Sequence, residues 1–126
     1  MPRILIVEDE GAISEPFAII LRTKDHTVDL ATNGFEALEL CRQHSYDLIL
    51  LDIMMPICDG NEFLKRAKLH ETSPKTVVFV LTNLAMGADI IEALSLGAAR
   101  SLLKSNITPT MLIDLVEEAL APATQE

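Results

Sequence analysis

Tyr46-Asp47-Leu48-Ile49-Leu50-Leu51-Asp52-Ile53-Met54-Met55-Pro56-Ile57-Cys58-Asp59-Gly60 is the stretch whose reading decides the fold. Leu48 to Leu51 is an unbroken apolar run with no polar alternation. Such a run is a strand covered on both faces, as in the middle of a parallel sheet. It ends in one acid, Asp52, and a short loop with Pro56 leads to Asp59-Gly60, a turn and helix cap. Open parallel sheets place ligand sites at the carboxyl ends of their strands, and Asp52 occupies such an end. Taken alone, Asp52 reads first as a turn acid that closes a strand. The other strands decide.

Working outward, residues 4–7 (Ile-Leu-Ile-Val) form a second doubly buried strand, ending in Glu8, Asp9 and Glu10. Residues 76–81 form a third, running into Thr82. Residues 27–31 alternate polar and apolar, and residues 99–103 are a weaker run ending at Lys104, so both read as edge strands. Apolar residues at helical spacing fill the intervals. The first helix is expected over residues 11–24, with Pro16 near the end of its first turn. Asn33 caps the second. The third carries Phe63, Leu64, Ala67 and Leu69 and is stopped by Pro74. Gly97 closes the fourth in a left-handed cap. Thr108 and Pro109 open the last.

Five strand–helix units in strict alternation predict an α/β fold: a doubly wound, flavodoxin-like five-stranded parallel sheet with five helices. Right-handed crossovers, with strands one, three and four central, favour the order 2-1-3-4-5. At 126 residues the chain is one domain, read as 1–121 with a tail or linker stub at 122–126.

Composition excludes several functions. A net charge of −9 gives no basic footprint for nucleic acid and no basic face for an anionic membrane. No apolar run approaches the ~18 residues of a membrane span. The two cysteines, Cys41 and Cys58, make neither a disulfide framework nor a metal-ligand spacing. A cytoplasmic location is expected. His26, His44 and His70 share no pattern and are expected at the surface.

In a 2-1-3-4-5 sheet the ends of the strands converge on one crevice, which would gather Glu8, Asp9, Asp52, Thr82 and Lys104. Each has a plain reading alone: helix-start acids, a turn threonine, a surface lysine. Together they make a chemical set. Three close carboxylates repel and call for a cation, and an all-oxygen set suits Mg²⁺ better than Zn²⁺. Lys104 offers a positive charge to an anion, and Thr82 a hydroxyl to a phosphoryl oxygen. A carboxylate can itself become an aspartyl phosphate, and Asp52, central among these groups, is the best placed.

These residues resemble the receiver domain of bacterial two-component response regulators (the CheY-like family). The match runs from Arg3 to about Leu120, through Ile4-Leu5-Ile6-Val7-Glu8-Asp9-Glu10, Asp52 to Gly60, Leu81-Thr82, Gly97-Ala98 and Lys104. The resemblance implies that Asp52 is the phosphoacceptor for a sensor histidine kinase or histidine phosphotransfer protein. It implies Asp9, Asp52 and the Met54 backbone carbonyl as Mg²⁺ ligands, with Glu8 reached through water. It makes Thr82 the switch hydroxyl and Lys104 the phosphate-pairing lysine. The implied product is a signal to a downstream protein target, through the face from the fourth helix to the last. The domain is then not an enzyme, with at most self-phosphorylation and slow self-dephosphorylation, and is a monomer or weak homodimer.

Three departures stand out. Ser101 occupies the position of the family's switch aromatic. Ser105 follows the lysine where the family has a cis-proline, and a cis bond to serine costs about 3 kcal/mol or more, so a trans peptide is expected. Met54 and Leu84, two residues after the acceptor and the threonine, cannot orient an attacking water, which predicts a long-lived phosphoryl group. Ser101 and Ser105 also leave open a second reading, a non-switching pseudo-receiver acting as a protein-interaction scaffold. A phosphohydrolase would need a proton-donating acid where Met54 stands.

Overall fold

A computed structural model describes residues 2–83 and 87–121. Five parallel strands form one sheet in the order β2-β1-β3-β4-β5. They are β1 (Arg3–Val7), β2 (Thr27–Ala31), β3 (Leu48–Asp52), β4 (Val77–Thr82) and β5 (Arg100–Leu103). The five helices of the wound fold are α1 (Gly11–Arg22), α2 (Gly34–Gln43), α3 (Gly60–Ala67), α5 (Ala88–Ser95) and α6 (Pro109–Leu120). A single extra turn, α4 (Leu69–Thr72), follows α3.

The continuous apolar runs bury both faces because successive side chains of a strand point opposite ways. Leu5, Val7, Ile49, Leu51, Val78 and Val80 share one core with Ala37 of α2, Phe63 and Leu64 of α3, and Ile90 and Ala93 of α5. Their neighbours Ile4, Ile6, Leu48, Leu50, Phe79 and Leu81 share the other with Phe17, Ala18 and Leu21 of α1 and Leu112 and Val116 of α6. Each fully buried Leu or Ile contributes about 1.5–3 kcal/mol, so the three central strands anchor the sheet.

The caps follow from side chains able to accept from a free N–H at a helix start. Asn33 Oδ1 accepts from the Glu36 N–H at 3.0 Å, Asp59 Oδ1 from Glu62 at 2.8 Å, and Thr108 Oγ1 from Met111 at 3.2 Å. Gly97, just past α5, has φ of 115°, the left-handed region that favours glycine.

Two local expectations are corrected. Pro16 lies inside α1, in its second turn. It leaves the Ala12 carbonyl without a ladder donor, a defect the buried face (Phe17, Ala18, Leu21) outweighs. The third helix does not run on to Pro74 but breaks at Lys68 (φ 49°, ψ 52°), before α4. A lysine in that conformation carries no turn signal, so the break is invisible in sequence.

Candidate functional site

The parallel register builds the site. Val7 pairs with Leu51, so the next residues, Glu8 and Asp52, emerge side by side. Asp52 pairs with Leu81, which sets Thr82 one step beyond it, and Thr82 pairs with Leu103, immediately before Lys104. Asp9, Asp52, Met54, Thr82 and Lys104 line one open cleft of about 240 Å³, with Glu10 and Asn83 on its walls. The crevice predicted from strand order is therefore present, at the carboxyl ends of β1, β3, β4 and β5.

Glu8, Asp52 and Thr82 are buried, whereas Asp9 is exposed at the mouth. Lys104 reaches in from the end of β5. Its Nζ lies 2.7 Å from Glu8 Oε1 and 3.1 Å from Asp52 Oδ2, with its side chain only 8% exposed. The Glu10 N–H donates to Glu8 Oε2 at 3.1 Å, and the Met54 N–H to Asp52 Oδ1 at 3.2 Å. Two buried carboxylates thus share one ammonium and two backbone donors.

That arithmetic governs protonation. Burial pushes the Glu8 carboxyl up to about 7, the neighbouring Asp52 charge adds to the rise, and Lys104 opposes it. Burial also raises Asp52, against the pull of Lys104 and the Met54 N–H. For Lys104, burial works to lower the pKa, but Glu8 and Asp52 outweigh it and hold the ammonium above its ordinary value. One ammonium does not neutralise the pair and Asp9 together.

A cation would complete the neutralisation. Glu8, Asp9 and Asp52 each offer a carboxylate oxygen, all within 4.8 Å of one another, so the three can hold a metal ion. The donors are all oxygen and include an exposed acid at the mouth, which fits a hard divalent ion that keeps part of its water. Met54 has its backbone N–H beside the Asp52 carboxylate and, as a residue, is 61% exposed at the rim.

Sequence reasoning missed how Lys104 divides its charge. Glu8 was expected to serve the metal, through water, with no contact to the lysine foreseen, yet it makes the shorter of the two contacts with Lys104. A glutamate at the end of a doubly buried strand was the available signal, since such an acid needs a partner. Also missed were Asp29, which accepts from Arg3 at 2.9 Å and from the Tyr46 hydroxyl at 2.7 Å, and Asn61, buried between α3 and α5 with Nδ2 donating to the Asp89 carbonyl at 3.0 Å. The former ties β2 to β1 and β3 and is structural.

Ser101 lies on β5 opposite Val80, half-buried, with no ring to move. The peptide to Ser105 is not cis, and residues Lys104–Asn106 form a 3-10 turn closed by the Ile107 N–H on the Lys104 carbonyl at 3.2 Å. Leu84 lies outside the described residues. His70 is exposed and His44 half-buried, while both ring nitrogens of the half-buried His26 are sheltered from solvent.

A larger recess, about 560 Å³, opens at the amino ends of β3 and β4, away from this chemistry. Four of its polar side chains are already engaged: the Ser73 and Thr76 hydroxyls pair at 2.6 Å, and Glu39 and Glu62 hold Arg42 and Arg66. Among the described residues, no helix is long and apolar enough to cross a membrane.

Comparison with known proteins agrees with this geometry. The response regulator receiver domain profile matches residues 4–117. The transcriptional regulatory protein DltR of Streptococcus agalactiae is 41% identical over 96 residues, 76% of this chain and 42% of that protein. The DNA-binding dual master transcriptional regulator RpaA of Synechocystis is 37% identical over 98 residues, 78% of this chain and 41% of its own length. The chain thus spans less than half the length of these two relatives. Among solved structures, a CheY-like receiver domain protein from Methanospirillum hungatei superimposes with a TM-score of 0.86 at 29% identity, covering 95% of this chain and 94% of the other. Chemotaxis protein CheY4 of Vibrio cholerae gives 0.86 at 27% identity, with 95% and 99% covered.

Proposed function

The chain belongs to the response regulator receiver domain family, whose members act in two-component signalling, and from that premise we propose that it accepts a phosphoryl group on Asp52 from a phosphohistidine donor. The observation that carries the reading is the shared contact of Lys104 with Glu8 and Asp52, at 2.7 and 3.1 Å, beside the exposed Asp9. An acceptor carboxylate there has one cation at hand, and the acids beside it could hold a second; positive charge of that kind is what transfer of an anionic group onto an anion requires.

In the transfer an Asp52 carboxylate oxygen forms a bond to phosphorus as the phosphorus–nitrogen bond breaks. The electron pair stays on the donor imidazole. Lys104 then follows the charge outward, pairing with a phosphoryl oxygen, and the Thr82 hydroxyl donates to another. Glu8, Asp9, Asp52 and the Met54 carbonyl would hold Mg²⁺, which when bound neutralises the carboxylates and the incoming phosphoryl oxygens. The domain is a phosphoacceptor rather than an enzyme with turnover. A histidine kinase or histidine phosphotransfer protein is the donor, and a protein target reads the result.

Intact mass after incubation with Mg²⁺ and acetyl phosphate tests this. One added phosphate, absent in Asp52→Asn and without divalent ion, is the expected result. No adduct from any donor would overturn the reading in favour of a scaffold that does not switch.

A further inference from the structure

The recess of about 560 Å³ at the amino ends of β3 and β4 lies at the opposite end of β3 from Asp52. It forms where two helices end. The chain leaves α2 through His44, Ser45 and Tyr46, and α3 breaks at Lys68 before the single turn α4. The apolar part of the lining is Leu38 and Cys41 of α2, Ile49 of β3, Ala67 at the end of α3 and Leu69 beyond the break. These side chains belong to the core on that face of the sheet or pack against it. A hollow of this volume, mostly apolar with a few polar groups, falls in the ~300–1,000 Å³ range of small-molecule sites.

Its charge is opposite to that of the molecule. The chain has 19 acids against 10 lysines and arginines. Yet among the described residues no acid lines this recess, while Arg42 and Arg66 both do. Each arginine meets one glutamate of its own helix: Arg42 Nη1 lies 2.8 Å from Glu39 Oε1, and Arg66 Nε 2.7 Å from Glu62 Oε2. These are exposed pairs, which hold weakly, and a guanidinium with five N–H donors keeps several to spare. Arg66 is also fixed over Phe35, its guanidinium 5.5 Å from the ring centroid, so it loses less freedom when a ligand arrives. The other ionisable groups of the apolar wall stay uncharged. Burial pushes the Cys41 thiol up to about 11, and burial together with the bond to Asp29 raises the Tyr46 hydroxyl. The arginines also answer the dipoles of α2 and α3, in whose last turns they stand. That accounts for basic residues at helix ends, but not for an acid-free apolar hollow between them.

We propose that this recess is a second site, binding a small aromatic carboxylate, with the ring against Leu38, Ile49 and Ala67 and the carboxylate between Arg42 and Arg66. Guanidinium and carboxylate match through paired N–H donors, the strong form of such a contact. Burial of the ring removes apolar surface from water on both sides. Inorganic phosphate would satisfy the arginines and leave the apolar wall wet. An uncharged ring would do the reverse. The site is separate from the Asp52 cleft, and the proposal stands whether or not Asp52 accepts a phosphoryl group.

The test titrates the full chain with naphthoate, and separately with uncharged naphthamide, and follows the backbone amide NMR spectrum. The expected result is a saturable shift confined to amides at 38–49 and 66–76, with a Kd for naphthoate of about 1 mM or below. Naphthamide should bind about tenfold more weakly, the loss of one charge-assisted contact. Arg42→Gln and Arg66→Gln should each weaken naphthoate several-fold and leave naphthamide unchanged. Both arginine side chains are more than half exposed, so these variants keep the fold, which their melting temperatures verify. Ala67→Phe fills the hollow and should abolish binding of both probes. No saturable shift from naphthoate overturns the proposal, and so do shifts centred on the Asp52 cleft. Equal affinity for naphthoate and naphthamide, or naphthoate binding untouched by both arginine substitutions, also overturns it, because the recess would then hold apolar rings without reading their charge.

Discussion

The ammonium of Lys104 lies 2.7 Å from Glu8 Oε1, closer than its 3.1 Å contact with Asp52 Oδ2. Glu8 is therefore the lysine's anchor, and Asp52 shares a charge already held. Removing that charge leaves two buried acids facing each other. Lys104→Met should lower the unfolding free energy at pH 8 by about 3 kcal/mol, the usual cost of breaking a buried pair from one side. At pH 5 the loss should be smaller, because a protonated Glu8 no longer needs the lysine. Urea unfolding at the two pH values measures both. Equal losses would mean that Lys104 contributes by packing alone.

The raised Glu8 carboxyl, up to about 7 from 4.5, fixes the sign of a pH effect. A carboxyl that holds its proton more tightly folded than unfolded stabilises the fold below its unfolded pKa. That stability is lost as pH rises from about 4.5 through about 7. Without metal, the protein should melt several degrees lower at pH 8 than at pH 5.5. The chain's net charge of −9 pushes the same way, so the slope alone does not identify Glu8. Glu8→Gln should flatten the dependence, and Mg²⁺ should raise the melting temperature more at pH 8 than at pH 5. A slope unchanged by Glu8→Gln would assign it to surface repulsion.

The architecture was legible because it is written in burial. Doubly apolar runs at residues 4–7, 48–51 and 77–81 name the central strands; the acids and threonine that end them, with the lysine that ends the edge strand at 99–103, name the crevice. Cap residues such as Asn33 and Thr108 act through their own side chains and are equally visible. What stayed hidden depends on contacts distant in sequence or on backbone geometry without a residue signature. The Lys104–Glu8 pairing needs the sheet to exist first. The break at Lys68 (φ 49°) and the turn at Ile57 (φ 73°) place a lysine and an isoleucine at positive φ, where sequence rules expect glycine. Pro16 was visible, but the helix tolerates it because α1 is held by its buried face rather than by its hydrogen bonds.

Two glycines should respond oppositely to alanine. A Cβ at Gly60 would meet the Asp52 carbonyl oxygen at 2.5 Å and the Ile53 Cα at 2.9 Å, both backbone atoms. Gly60→Ala should destabilise by about 1–3 kcal/mol and slow phosphorylation by acetyl phosphate, because relief of the clash displaces Asp52 itself. A Cβ at Gly11 would meet only the flexible end of Glu15, at 3.3 Å. Gly11→Ala, at the first position of α1, should be neutral or stabilising by up to about 1 kcal/mol. Chemical denaturation of both variants checks the pair. A tolerated Gly60→Ala with full phosphorylation would show that the β3–α3 loop does not support the carboxylate.

Phosphoryl lifetime tests the rim of the cleft. Loss of phosphate from an aspartyl phosphate needs a water aligned with phosphorus opposite the carboxylate oxygen. Met54 stands at the mouth above Asp52, 61% exposed, and its thioether is too weak an acceptor to orient that water. The phosphorylated protein should therefore persist far beyond seconds once donor is removed. Met54→Asn puts a donor and an acceptor at the same rim position and should shorten the lifetime about tenfold, within the range of a positioned polar group assisting water. The substitution leaves the Met54 backbone N–H on Asp52 Oδ1 in place, so acceptor geometry is preserved. Following intact mass after gel filtration into donor-free Mg²⁺ buffer gives both decays. A lifetime of seconds in the unsubstituted protein would mean that another group at the cleft, Asn83 on its wall being the nearest in chain to Thr82, positions the water instead.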